Sequence, residues 1–514
     1  MTNLLPALLA ILTPGTLLLI LGGVIAGLFV GAIPGLTATM ALALLLPFTF
    51  TMDPLQGLVA LGAVYMGSIY GGSFSAILIN TPGTPSSIAT TFDGYPMTKS
   101  GRAKEAITTA TIASAIGGIA GVTFLILLAP PLAQLALRFG PSENFWVAVL
   151  GLTLIATLGT GSILKGLFGG ALGILIGTVG IAPIGGEVRF SFGLPVLQGG
   201  VELIVALIGL FVVPELFIMA SRGTTALREA PEDVEGSNFF RVLRRVLSMP
   251  GNLIRSCLIG EVISVIPGAG GSISNLVAYN EAKRASKHPE KFGKGAYEGV
   301  VASEAANNVT VAGSMVPLLT LGIPGAPPDA VILGVMLLHG LRPGIELFTT
   351  SGLLTYGFIL SMGISAILMI PVGVLGGRLI YRTIAATPHY FLLPSIATVT
   401  ILGTFALRNS WFDVIIMLVL GTAGYFLKEL GFDPATIVLG VILGSIAEIG
   451  YVQTTLSAIT YDYPFLRLFE STLSRILIAL TVLSLFTPLF TWWRKRRTVN
   501  DAANVSENSS EDPP

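Results

Sequence analysis

Residues 79–87 read INTPGTPSS, and they end an apolar run, 55–79, that is long enough to cross a membrane. Two prolines, a glycine, two threonines and two serines stand where a buried helix would otherwise continue. Proline lacks the backbone N–H and its ring clashes with the preceding turn, so a helix does not pass through such a stretch undisturbed. Hydrocarbon offers no partner to the groups so freed. Irregular backbone persists at that depth only where protein or a water-filled cavity satisfies it. The stretch therefore predicts a membrane interior organised around interrupted helices.

The whole chain agrees. Of 514 residues, 53% are hydrophobic and 11% charged, where a soluble domain carries about a quarter charged. Apolar runs recur at 17–33, 55–79, 107–128, 147–164, 167–181 and 203–220, and after a charged middle at 300–321, 353–375, 392–407, 414–427, 435–449 and 476–490. This predicts an all-α polytopic membrane protein with about 10–12 transmembrane helices, some of them re-entrant or broken. Cys257 is the only cysteine, which excludes an intramolecular disulfide and a thiolate metal cluster. His288, His339 and His389 are scattered and suggest no metal site. No Lys or Arg precedes Lys99, so the first helix is expected to be retained rather than cleaved as a signal peptide. GAGGSI at Gly268 lacks the last glycine of a dinucleotide fingerprint, and no GxxxxGK[ST], HExxH or GxSxG motif occurs. Nothing supports an enzyme, and nucleic acid is not an expected partner.

Basic residues cluster at Lys99/Arg102/Lys104, Arg222 to Arg245, Lys283 to Lys294, Arg378/Arg382 and Arg494 to Arg497. All five clusters, and with them the C-terminus, are expected in the cytoplasm, while Asp53 and Arg189 face the periplasm. The apolar stretch 253–266 is only about 14 residues, roughly 21 Å of helix. With PGAGGS (267–272) and a short return through 273–279, it reads as a hairpin that enters and leaves on one side. The tail 494–514, acidic and polar after its basic start, is expected to be disordered.

The breaks come in pairs. AIPGLTAT (32–39) resembles VIPGAGGS (265–272), and INTPGTPSS (79–87) resembles GIPGAPPDA (322–330), in the same order in each half. The linker TFTMDPLQ between the first pair has no basic residue, whereas EAKRASKHPEKFGKG between the second pair is strongly basic. Two similar units whose equivalent loops fall on opposite sides form an inverted-topology repeat. The expected organisation is a first half, 1–220, with breaks at 33–39 and 80–87. A charged cytoplasmic linker, 221–250, leads to a second half, 251–493, with breaks at 266–272 and 322–329.

A broken helix frees backbone N–H groups at the start of its second piece, with a positive dipole end behind them, and so makes an anion site. The carbonyls that end its first piece suit a cation such as Na⁺. Substrate-binding groups are expected at Pro34, Gly35, Thr37, Asn80, Thr81, Pro82, Gly83, Thr84, Ser86 and Ser87. The second half adds Gly268, Gly270, Gly271, Ser272, Asn275, Pro324 and Gly325, with the four breaks converging near the midplane. Thr39, Ser274, Glu304, Asn307 and Asn308 are expected to take part in ion coupling, the last three sharing a helix face at i, i+3 and i+4. The plainer alternatives are hydroxyls bonded back to their own helix and a Glu304 wetted at the cytoplasmic end near Lys294. Na⁺ or H⁺ as coupling ion is the only cofactor expected.

These motifs closely resemble one family. GAIPGLTATMALALLLPFTF, YGGSFSAILINTPGTPSSIATTFDGYPMTKSGRA, VIPGAGGSISNLVAYNEAKR and EAANNVTVAGSMVPLLTLGIPGAPPDAVILG, with RFSFG at Arg189 to Gly193, are similar to the large membrane subunit of tripartite tricarboxylate transporters, the TctA family. The resemblance runs from Gly22 to Trp493. It implies a permease of the bacterial inner membrane that imports citrate-like or other carboxylates on a cation gradient. It further implies a small TctB-like membrane subunit and a periplasmic TctC-like solute-binding protein as partners, with membrane lipid around them. Ala182 stands where the family leads one to expect Asp. The alternative class is a channel-like or ATP-coupled membrane component.

Single cysteines in a background lacking Cys257 test the topology. Those replacing Lys99 and Lys287 are expected to label only after permeabilisation, and those replacing Asp53 and Arg189 in intact cells. Labelling of Lys287→Cys from outside would rule out the inverted arrangement.

Overall fold

The computed structural model describes residues 3–49, 51–159, 162–222, 238–268, 270–376, 389–459 and 463–486. Arg378, Arg382 and the tail 494–514 lie outside the described residues, as do 223–237 of the linker, Ala269 and the side chain of Ser272. In chain order the helices of the first half are α1 (Leu4–Ile11), α2 (Pro14–Gly31), α3 (Ala38–Thr49), α4 (Pro54–Ile79), α5 (Ile88–Lys99), α6 (Ala103–Ala136), α7 (Pro141–Gly159), α8 (Ile163–Gly177), α9 (Leu203–Phe211) and α10 (Val213–Arg222). There follow α11 (Phe239–Leu247), α12 (Pro250–Ser264), α13 (Gly270–Ala285), α14 (Tyr297–Gly313), α15 (Met315–Leu321), α16 (Pro327–Leu338), α17 (Ile345–Thr349), α18 (Gly352–Pro371), α19 (His389–Arg408), α20 (Trp411–Glu429), α21 (Pro434–Ser457) and α22 (Thr472–Phe486). The only sheet among the described residues pairs β1 (Gly180–Ile181) with β2 (Val188–Arg189).

The chain is a multi-pass, all-α membrane protein. Seven helical spans among the described residues have the length and apolarity to cross a bilayer: α2, α4, α6, the α9–α10 run, α18, α20 and α21. Five apolar helices are shorter: α3, α8, α16, α19 and α22. Of the short helices, α3 and α16 each begin at a proline-glycine break. α11 and α12 are bent by 73° at their junction. α12 and α13 pack against each other, and α13 runs on to Ala285, well past the expected 279.

Two compact units can be described. The described residues of Phe139–Thr178, Ala182–Glu187 and Gly431–Pro514 form one. In it α8 crosses α21 at glycines: Gly173 lies against the carbonyl of Ile437, and Gly440 against that of Gly170. Small residues let two helix backbones approach closely where lipid gives no hydrophobic drive to associate. The N–H of Ala182 closes the turn at the carbonyl of Glu187, 2.8 Å away.

The other unit comprises Met1–Arg138, Val179–Ile181 and Val188–Leu430 and holds all four breaks. Its axis is α4 and α14, buried on every side from Gly57 to Leu78 and from Gly299 to Gly313. Asp53 caps α4 by accepting from the N–H of Leu55 at 3.0 Å, and Pro54 takes the first helical position, where no N–H is needed. α2 crosses α4 with Gly27 against the carbonyl of Val64; α12 crosses α14 with Gly260 against that of Ala306. Aligned on the IPG motifs, these are the same positions in the two halves. α3 packs on α16, and α13 on α5. α6 crosses α14 with Gly117 against the carbonyl of Ala305.

One carboxylate pins the basic loop after α13. Asp93, on α5 and 1% exposed, accepts from the N–H groups of Gly293 (2.9 Å), Gly295 (2.8 Å) and Ala296 (2.8 Å), and from the hydroxyl of Tyr279 (2.9 Å). Asp93→Ala leaves four donors without an acceptor, each worth about 1–3 kcal/mol when buried unpaired. It is expected to lower the melting temperature sharply and to open the loop to protease, and Asp93→Asn, which keeps an acceptor oxygen, to do so less.

Candidate functional site

The two later breaks share one backbone. α4 ends at Asn80 in the left-handed region (φ 58°), and α15 ends at Gly322 in the same region (φ 72°). Glycine and asparagine are the residues that adopt this conformation at least cost. The next N–H in each reaches back six residues at 3.3 Å, Thr81 to the carbonyl of Ser75 and Ile323 to that of Pro317. Pro and Gly follow, then an extended N-cap, Thr84 or Ala326, and a Pro at the first position of the next helical segment. The third residue of that segment reaches back to the N-cap N–H: Ser87 Oγ to Thr84 at 3.4 Å, Asp329 Oδ2 to Ala326 at 2.7 Å. The same reach-back to the N-cap N–H is thus made by a hydroxyl in one half and a carboxylate in the other.

The earlier breaks repeat as well. Ile33 donates to the carbonyl of Val30 at 3.1 Å, and Ile266 to that of Ile263 at 3.2 Å. Gly35 (φ 95°) and Gly268 (φ 82°) then turn the chain. Thr37 caps α3 through the N–H of Met40 at 3.2 Å.

The breaks adjoin one another. A β-carbon on Gly83 would collide with the carbonyl oxygen of Gly31, and one on Gly325 would lie 3.1 Å from that of Ser264. The N–H of Gly83 bonds the carbonyl of Gly72 at 3.2 Å, and the N–H of Gly268 bonds that of Gly325 at 2.9 Å. The halves meet where Asn275 Nδ2 donates to the carbonyl of Ser86, and where Gly271 packs on Ser86, Thr310 and Asn307. Thr84 and Ser86 share a hydrogen bond of 3.1 Å.

At this meeting point lie buried polar atoms without partners. Asn275 Oδ1 and both amide atoms of Asn307 make no hydrogen bond, although each residue is 0% exposed. Asn308 Oδ1 is also unpartnered, and its Nδ2 faces Met369 Sδ at 3.6 Å. A buried unpaired amide is costly unless something binds it. The half-helix α13 begins beside these groups at Gly270, with its free N–H groups and positive dipole end. Amide and hydroxyl oxygens here can ligate a cation, while the N–H groups can bind an anion.

Other expected residues are placed differently. Gly35, Asn80 and Thr81 are exposed, and Thr81 Oγ1 bonds back to Ile79 at 3.4 Å. The hydroxyl of Ser274 bonds back to Gly271 at 2.9 Å, and Thr39 sits in the first turn of α3. Pro34 and Pro82 are half-buried, and Pro324 is buried. Gly83 and Gly325 are not at positive φ; close backbone approach is what excludes a side chain there. Glu304 is 0% exposed, not wetted beside Lys294: Thr90 Oγ1 donates to Oε1, and Ser114 Oγ donates to Oε2 at 2.7 Å. Glu304, Asn307 and Asn308 therefore face three different neighbours.

Three acidic residues were not among the expected site residues. Asp329, 0% exposed, accepts from Ser314 Oγ at 3.1 Å and lies against the hydroxyl of Tyr65. Asp93 holds the loop described above, and Glu261 is 4% exposed. The readable signal was the alignment of the halves, which sets Glu261 opposite Leu28 and Asp329 opposite Ser87.

Interrupted helices that meet at buried, unpartnered amides, in a multi-pass helical protein, define an all-α membrane protein with a polar interior. The profile described as the tripartite tricarboxylate transporter TctA family matches residues 17–439, and the chain belongs to that family. A protein from Agrobacterium vitis, named as uncharacterised, of 52.8 kDa and in the TAR-I ttuC' 3' region, is 38% identical over 445 residues, 85% of this chain and 86% of that one. A second from the same organism, named as uncharacterised in the TAR-II ttuC' 3' region, is 37% identical over 191 residues, 37% of this chain and 78% of that one. No solved structure matches.

Two variants separate scaffold from site. Gly83→Ala drives a methyl into the Gly31 carbonyl and is expected to cost roughly 1–3 kcal/mol of stability. Asn307→Ala removes an unpaired buried amide and is expected to keep stability within about 1 kcal/mol of wild type or to raise it. Thermal melting of the purified protein reads both.

Proposed function

We propose that this chain is the large permease subunit of a binding-protein-dependent secondary transporter, importing a citrate-like or other carboxylate on a Na⁺ or H⁺ gradient across the bacterial inner membrane. The observation that carries this reading is the set of unpartnered amide atoms of Asn275 and Asn307, at 0% exposure, beside Ser86 and the start of α13. A carboxylate bound there takes N–H groups from the half-helix and the side-chain amides, and meets no fixed positive charge that would retain it. Transport needs this balance, since a site must also release its ligand. The two halves are read as an inverted-topology repeat, which gives the site access from either side in turn. The partners are a small TctB-like membrane subunit and a periplasmic TctC-like protein that delivers substrate.

The test is uptake by proteoliposomes holding the chain and its small subunit, supplied with the binding protein and a labelled carboxylate. Thermal shift of the binding protein against an organic-acid panel chooses that carboxylate. Uptake is expected to follow an imposed Na⁺ or H⁺ gradient without ATP, and to persist undiminished gradient or not would contradict the reading in favour of a channel. Asn275→Ala and Asn307→Ala are each expected to weaken apparent affinity by about 2- to 13-fold, the scale of one neutral hydrogen bond.

A further inference from the structure

The two halves repeat their backbone but not their charge. Where the first half has Leu28 near the end of α2, the second has Glu261 near the end of α12. Both of its carboxylate oxygens lack a hydrogen-bond partner, although the residue is only 4% exposed. It sits in the last turn of α12 (Pro250–Ser264), where the negative end of the helix dipole opposes a carboxylate. A bare anion is not stable in such a place, and it needs a positive charge to neutralise it.

The surroundings supply ligands but no cation paired with it. A β-carbon on Gly313 would lie 2.9 Å from Glu261 Oε2 and would collide with Ser264 Oγ, so carboxylate and hydroxyl converge on one point of α14. Cys257 on the same helix, Glu304 on α14, Tyr279 on α13 and Asp329 at the adjoining break bring no positive charge. The cations of these elements are Arg255 of α12, which bonds Asn252 at 3.1 Å, Arg284 of α13, which bonds Glu281 at 2.7 Å, with Lys283 beside it in the last turn of that helix, and Lys104 in the first turn of α6. Among the described residues none forms an ion pair with Glu261. Glu304 is taken by Thr90 and Ser114, Tyr279 by Asp93, and Asp329 by Ser314 and the N–H of Ala326. The end of α12 adds backbone carbonyls, the groups that coordinate cations at broken helices.

We propose that Glu261 and Ser264 form a site for a single monovalent cation, a proton or a sodium ion, separate from the amide and hydroxyl groups around Ser86, Asn275 and Asn307. The coupling charge then lies wholly in the second half, whereas the anion is held between the halves, at Ser86 on one side and Asn275 and Asn307 on the other. This rests on the transport reading above and deepens it.

The test compares wild type with Glu261→Gln in the assembled transporter. Melting temperature is measured in NaCl against choline chloride at constant ionic strength, and separately across a pH series. Wild type is expected to be stabilised by sodium if Na⁺ is the ligand, or by falling pH if H⁺ is, and Glu261→Gln to lose that response. Gradient-driven uptake should fall at least about tenfold in the variant, while exchange of substrate between loaded vesicles and medium stays within about twofold. Retention of the wild-type cation response by Glu261→Gln would overturn the proposal, as would loss of exchange together with uptake in a variant that melts normally. If Glu261→Gln does not fold, Gly313→Ala replaces it, since its methyl enters the space between Ser264 and Glu261, and the same outcomes decide. A wild type whose uptake ignores every gradient would count against the transport reading instead, and the melting comparison then judges the cation site alone.

Discussion

Inside a bilayer every backbone amide must find its partner within the protein. The breaks are held by bonds to one another and to the helices around them. Gly268 gives its N–H to Gly325, Gly83 gives its own to Gly72, and the carbonyl of Ser86 accepts from Asn275. Each bond ties one break to another segment of the core. The broken segments therefore form one mutually dependent set, and a change at one is felt at its neighbours. The glycine crossings of α2 with α4 and of α12 with α14 serve this end, because they bring the backbones close enough for those bonds to form.

Within this frame the chain repeats geometry and varies chemistry. Left-handed caps at Asn80 and Gly322, reach-back bonds six residues long, and proline-led helix starts recur almost unchanged. At aligned positions the first half has Leu28, Gly62 and Ser87 where the second has Glu261, Glu304 and Asp329. Glycine is retained at Gly83 and Gly325 because a neighbouring carbonyl or side chain occupies the space of a β-carbon, not because of an unusual φ. A scaffold duplicated in this way keeps its backbone while its side chains diverge in charge.

Much of the fold was legible in the sequence, because apolar run length and proline-glycine punctuation report directly on bilayer-scale helices. The long runs became α2, α4, α6, α18, α20 and α21, and the paired motifs marked the breaks. Helix α3 went unread as a segment of its own: it is short, apolar and continuous with the break before it. The site was legible only in part. Asn275 and Asn307 stood out as polar residues among apolar ones, but Asn80 and Thr81, equally polar, turned out to be exposed. Burial is a tertiary property, and periodicity does not carry it. Glu304 depends on Thr90 and Ser114, which are 214 and 190 residues away, and no local pattern announces such partners.

The clasp on Asp93 bears on how the chain is made. Its acceptor oxygens are contributed early, but the nearest of its backbone donors, Gly293, comes 200 residues later. At ribosomal speeds of about 5–20 residues per second, that is a wait of roughly 10–40 seconds. Until Tyr279 and then this loop are made, the carboxylate lacks all four of these donors. The first broken segment is therefore inserted into the membrane unfinished and reaches its buried form only when the second half arrives, so that synthesis of the first half alone yields a different object from the first half of the finished protein.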